Sequence, residues 1–318
     1  MNKVFKVIWN HATQTWTAVS ELGHAKGKTK SKKIVKLTAL AGAVIGSLAV
    51  SQSATAAADL TTNDAVNIAP NNVPNPTAGR HAIAVGGNAN AAKQDSIAIG
   101  TNSTASWTNT IAIGKATNAT KDHAVAIGSN TTASGVQSVT VGSYSNATAD
   151  SVVAIGQESK AGGTGSGTAA VAVGYLANAS AANTVATGKS ATATVDNAVA
   201  VGVSTAATAR NAAALGGYAT ATAEHATAVG AASKATGTAS FAGGTSANAS
   251  GTNSVAIGGS MTPAEAAQAS GAQAIALGTQ SKASETNATA IGNGANASHK
   301  NAVALGSGSV TKTAIPNA

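Results

Sequence analysis

From residue 80 onward the chain repeats itself every fourteen residues, and this period constrains its fold more than any other feature. The glycine closing each (Val/Ile)-Ala-(Ile/Val)-Gly motif recurs at Gly86, Gly100, Gly114, Gly128, Gly142 and Gly156. It continues at Gly174, Gly188, Gly202, Gly216, Gly230, Gly244 and Gly258, and then at Gly278, Gly292 and Gly306. Every step is 14 except one of 18 and one of 20. The first longer step holds AGGTGSGT (residues 161–168) and the second GSMTPAEAAQASGA (residues 259–272). Both read as loops pushed out of one turn of a stack, which solenoids tolerate. At about 4.8 Å per turn, sixteen turns make a rod of roughly 75 Å.

Each slot of the unit has its own chemistry. One and three residues before the glycine sit aliphatic residues in most units, such as Ile97 and Ile99 or Ile111 and Ile113. Between them is alanine in fifteen of sixteen units, Thr140 being the exception, so the alternation has period two and predicts a strand. Both faces of that strand are apolar, which predicts burial on both sides. Five after the glycine stands alanine again in fourteen of sixteen units, flanked by polar residues, and this predicts a second, shorter strand. Large aliphatics from the first strand are then expected to fill a thin lumen against the second strand's alanines. The alanines of the first strand, among them Ala84, Ala98, Ala112, Ala126, Ala154 and Ala200, are expected to meet another copy of the chain at close approach. Five before the glycine, seven units have Asn, and Asp95, Gln137, His81, His123 and His225 share that slot. These types tolerate left-handed backbone, so the slot predicts one corner, and the glycine itself predicts the other.

Composition separates the leader from the body. Residues 1–58 contain eight Lys and one Glu, a net +7, while the remaining residues carry eleven Lys/Arg and ten Asp/Glu, a net +1. The basic charge therefore gives no support for nucleic-acid binding by the body. Lys26 to Lys36 form a positive stretch, residues 37–50 (LTALAGAVIGSLAV) an apolar one, and Ala54-Thr55-Ala56 a small-x-small cleavage pattern. That is a secretory signal, too short to span a membrane as a stable anchor. Ahead of it, residues 1 to about 28, with Trp9 and Trp16, resemble the extended signal-peptide region of type V secreted proteins. The expected organisation is an extended signal peptide over 1–56, helical or disordered, and a linker or cap over 57–80. The repeat body over 81–306 and a short tail over 307–318 follow.

The units NSVAIG (residues 253–258), NAVAVG (197–202) and NAVALG (301–306) resemble the head repeat of YadA-like trimeric autotransporter adhesins. The resemblance implies an all-β, left-handed parallel β-roll, assembled as a homotrimer. It implies a surface or outer-membrane protein that attaches to host cells, extracellular matrix or other bacteria, with a part in virulence or biofilm formation. Family members continue into a coiled-coil stalk and a membrane barrel. After Gly306 this sequence has neither heptads nor amphipathic strands, so a truncated product, secreted without an anchor, is the expectation.

Other functions have less to stand on. The acids of the body fall about one per turn or fewer and form no convergent set, so no catalytic residue, cofactor or small-molecule substrate is expected. Turn propensity accounts for His81, His123 and His225 without a metal. The alternative is a non-adhesive scaffold, structural, self-associating or ice-binding. For ice binding, Ser or Thr six after the glycine in twelve units supplies an outward file, but lysines interrupt its neighbouring column. No file of exposed aromatic or Arg residues stands out as a binding hot spot.

Overall fold

The computed structural model describes residues 5–10, 15–20, 65–69, 74–162 and 169–312. It divides into two units, Met1–Ala54 and Thr55–Ala318. In the first, β1 (Phe5–Asn10) and β2 (Thr15–Ser20) pair antiparallel with Trp9 opposite Trp16. The two rings meet edge to face, centroids 5.1 Å apart and planes at 62°. Over these residues the expectation of helix or disorder is corrected: Phe5, Val7 and Trp9 alternate at period two, and the cross-strand tryptophan pair rewards a hairpin. The lysine-rich stretch, the apolar stretch and the cleavage pattern lie outside the described residues.

The second unit is a parallel β-solenoid. Each turn contributes a three-residue strand ending just before the repeat glycine, as at Ile97–Ile99 and Ile111–Ile113. It also contributes a two-residue strand four and five residues after the glycine, as at Thr104–Ala105 and Asn118–Ala119. Like pairs with like one turn away: Ile97 with Ile111, Ala98 with Ala112, Asn118 with Thr132. The result is a ladder of long strands and a ladder of short strands, each register-locked by the repeat. Backbone bonds between turns are regular, for example Ile97 N–H to Thr110 O at 2.8 Å and Gly100 N–H to Val85 O at 2.7 Å. The stack begins earlier than the glycine spacing implies. β3 (Val66–Ile68) pairs with β5 (Ile83–Val85), and β4 (Thr77–Ala78) with β6 (Asn90–Ala91), so the expected cap contains a turn of the roll. Its strand is followed by Ala69 instead of glycine, which hides it from a search on the motif.

The interior reverses the expected filling. Ala84, Ala98, Ala112, Ala126, Ala154 and Ala200 have no exposed surface within the single chain. They face the alanines of the short strands, such as Ala91, Ala105 and Ala119, across the lumen. These six therefore cannot be the face that meets another copy. In the regular inner turns, residues two and four before the glycine and three and five after it turn inward, and the largest fully buried side chain is Val152. The reason is the separation of the ladders. Two sheets joined by such tight corners leave room between them for Ala, Ser and Thr, and at Val152 for a valine, so the bulkier Ile and Leu and most Val are turned outward. Some buried hydroxyls bond locally, Ser138 Oγ donating to Gly135 O at 2.7 Å and Ser103 Oγ to Gly100 O at 2.8 Å, and others reach the next turn, as Thr205 Oγ1 does to Gly216 O at 2.6 Å.

Both ends of each flat turn are left-handed corners. At the slot five before the glycine, φ is positive in every unit, from 52° at His81 to 60° at Asn197. Asparagine side chains also stack along this corner, Asn183 Nδ2 donating to Asn197 Oδ1 at 3.2 Å and Asn197 Nδ2 to Asn211 Oδ1 at 3.0 Å. The second corner lies two residues after the glycine, where Asn102, Tyr144, Leu176 and Tyr218 have φ of 57°, 58°, 57° and 61°. The glycine itself is needed twice over. Gly86 has φ of 125°, and a Cβ there would come within 2.7 Å of the Gly100 carbonyl carbon in the next turn. In the 20-residue step the insertion carries a short 3₁₀ turn, Pro263–Glu265, and Ala269 then takes the inward place of the short strand. Residues 163–168 of the other long step lie outside the described residues.

Candidate functional site

Since the interior of the roll is uniform, its chemistry is carried by three outer surfaces: the back of each ladder and the corners. On the long-strand ladder the residues one and three before the glycine point out. They form two files, Ile97, Ile111 and Val125 in one and Ile99, Ile113 and Ile127 in the other. These side chains are half-buried or exposed: Ile99 is 37% exposed, Leu215 40% and Ile257 44%. Side chains two residues apart on a strand, stacked over the whole rod, make a strip about 10 Å wide and 75 Å long, roughly 750 Å². A soluble monomer rarely leaves a contiguous apolar patch of more than a few hundred Å² in water. The files are interrupted at Gly243, whose place is covered by the ring of Phe241 two residues earlier, and by the hydroxyl residues Thr187, Thr227 and Thr289.

The back of the short-strand ladder has the opposite character. Four residues after the glycine stand Asn90, Thr104, Asn118, Thr132 and Asn146 in register, and the charged members of this column are Lys160, Lys234 and Lys282. No carboxylate occupies it. Six after the glycine is the Ser/Thr file expected from the sequence, so the face presents hydroxyls, amides and ammonium groups.

The structure also places aromatics that the sequence pattern left unremarked. All three tyrosines of the chain, Tyr144, Tyr175 and Tyr218, are exposed on the corner that follows the repeat glycine. Trp107, at the other side of the turn, is exposed with Lys121 Nζ 5.6 Å from its ring centroid. The tyrosines were inconspicuous because they fall in different units, and only the stacking brings them to one edge.

The other residues singled out from sequence are accounted for structurally. Gly86, Gly100, Gly114, Gly128, Gly142, Gly156, Gly202, Gly258 and Gly306 all have positive φ at the end of a long strand. His81 Nδ1 lies 3.2 Å from Asp95 Oδ1, and His123 Nε2 3.3 Å from Asn109 Nδ2. His225 Nδ1 lies 3.5 Å from Asn211 Nδ2, so each histidine joins the corner stack through the neighbouring turn. Among the described residues no three of His, Cys, Asp and Glu gather as a metal site would require.

Two family models match the chain. Residues 1–50 match the Extended Signal Peptide of Type V secretion system. The YadA head domain repeat, a model of two copies, matches successive stretches from residues 78–103 and 105–131 through to 269–295 and 283–309. One break falls between the stretches 235–260 and 269–295, and it contains the insertion with the 3₁₀ turn.

Proposed function

The chain belongs to the family of YadA head repeats, led by an extended signal peptide of type V secretion, and on that premise we propose that it is the head of a homotrimeric surface adhesin. The signal peptide marks it for export, and the repeats make it a trimeric autotransporter adhesin-like protein. In this reading it attaches the bacterium to host cells, extracellular matrix or other bacteria, and binds as a surface rather than as a catalyst.

One observation carries the proposal: the apolar strip on the back of the long-strand ladder. Partly exposed Ile, Val and Leu, which dominate two files in register, supply the hydrophobic contact that an assembly of identical rods needs. Packing the strips around a common axis would turn every polar short-strand face outward, where many copies of a weak contact add by avidity. Among the described residues no helix is long and apolar enough to cross a membrane.

Light scattering on the exported chain tests the assembly, and adhesion of cells or matrix proteins to coated surfaces tests the role. A trimer that retains cells or matrix is expected. A monomer overturns the assembly, whereas a trimer that retains no cell, matrix protein or second bacterium leaves a scaffold in place of an adhesin.

A further inference from the structure

Among the described residues, the insertion between Gly258 and Ala267 breaks the uniform polar face. It is pinned at both ends: Ala267 N–H donates to Gly258 O at 2.9 Å and Gln280 N–H to Glu265 O at 2.6 Å. Inside it, Ser260 Oγ donates to the Glu265 carboxylate at 3.2 Å, and Thr262 N–H to Ser260 Oγ at 3.1 Å. The segment folds back against the ladder, because Ser246 is buried although Tyr218 and Ala232, in the same slot of the preceding turns, are exposed and half-buried. Between the insertion and the ladder is a groove of about 320 Å³. Its lining includes Lys234, Ser246, Asn248 and Gln268 from the ladder and Pro263 and Ala264 from the insertion.

Three of these residues form a column, Lys234 beside Asn248 and Asn248 beside Gln268, and Lys282 is next in register. Amides are thus bracketed by ammonium groups along the strand-pairing direction. No carboxylate lines the groove, and the one acid of the insertion, Glu265, is engaged with Ser260. Each primary amide can donate and accept at once, the pattern that vicinal hydroxyls require. Pro263 and Ala264 offer an apolar wall for C–H groups. The volume is at the lower end of small-ligand sites, about 300 Å³ and upward. Nucleic acid would need a longer track of cations, and a metal ion would need carboxylate or imidazole donors.

We propose that this groove binds a carboxylated sugar residue of a surface glycan, with Lys234 pairing the carboxylate, Asn248 and Gln268 reading the hydroxyls, and Pro263 packing on the ring. The inference deepens the adhesin reading and rests on it in one respect, that the short-strand face is open to solvent in the assembly. Its wall, Pro263 and Ala264, falls between matched stretches of the family repeat, whereas Lys234 and Asn248 lie within them.

The test measures binding of the exported chain to a sialylated oligosaccharide, a uronate-containing oligosaccharide and a neutral oligosaccharide of equal length. At least one acidic sugar should bind in clear preference to the neutral one, and which of them binds identifies the source. Lys234→Gln should weaken that binding about tenfold, the cost of losing a charge-assisted contact. Lys160→Gln changes the same slot where Pro263 and Ala264 supply no wall, and it should leave binding unchanged. Equal binding of neutral and acidic sugars, equal losses in the two variants, or no binding of any sugar overturns the proposal. Light scattering on the same sample separates the two readings. A trimer that ignores acidic sugars sinks the groove alone, and a monomer that binds them sinks the assembly alone.

Discussion

The two ladders of the roll share one interior and differ most on their backs. Ala126 on the long-strand ladder and Ala133 on the short-strand ladder are equally buried, and both contribute a methyl group to the same lumen. Behind Ala126 stand Val125 and Ile127, while Ala133 is flanked by Thr132 and Ser134. Identical packing on the inside thus accompanies opposite solvation on the outside. The comparison separates stability from function within a single turn: the lumen and inter-turn bonds hold the rod, and the backs determine what the rod touches.

The sharpest break of that comparison is a charge placed on each back. Ile113→Asp would bury a carboxylate in the apolar strip, at a cost of several kcal/mol per chain if the strip is an interface. Light scattering should report monomers with unchanged far-UV circular dichroism, whereas Asn118→Asp on the other ladder should leave the assembly whole. If Ile113→Asp stays trimeric, the strip is not the assembly surface. A smaller effect is expected from enlarging the shared lumen residues. Ala126→Leu and Ala133→Leu should each cost about 1–3 kcal/mol or more by overpacking, seen as earlier thermal unfolding and faster proteolysis. Tolerance of one but not the other would mean the two ladders do not share a single close-packed interior.

The corners that join the ladders should give the smallest changes, of opposite sign. Asn197→Ala removes a left-handed-tolerant residue and its bond to Asn211, and should lower stability by roughly 0.5–1 kcal/mol in denaturant melts. Tyr218→Asn relieves a bulky residue from φ of 61° and should raise stability by up to about 1 kcal/mol. If Tyr218→Asn destabilises the assembled protein, the exposed ring is making a contact between copies.

Much of this architecture was legible before folding was considered. Ile97-Ala98-Ile99 reads as a strand by alternation, Gly100 as the turn that follows it, and Asn109 as a left-handed corner, and each has that conformation. The second corner was not legible, because Tyr144, Glu158 and Leu176 have no common turn propensity; closure of the roll imposes positive φ on them. The first turn escaped notice since Ala69 stands where a repeat glycine would be. The groove was legible only as an irregular spacing. Nothing in GSMTPAEAAQASGA says that the loop folds back over Ser246 instead of projecting away.

The sequence by itself determined the period, the strands, the parallel register, the glycine turn and the asparagine corner. All of these follow from local backbone preference and from equal spacing, which makes every turn bond to its neighbour in the same way. Which apolar face points inward was decided by tertiary structure alone. Alternation says that Ile and Ala lie on opposite sides of a strand, but not which side meets the second ladder. The distance between the ladders settles it, because a gap that fits two methyl groups admits Ala98 opposite Ala105 and excludes Ile97 and Ile99.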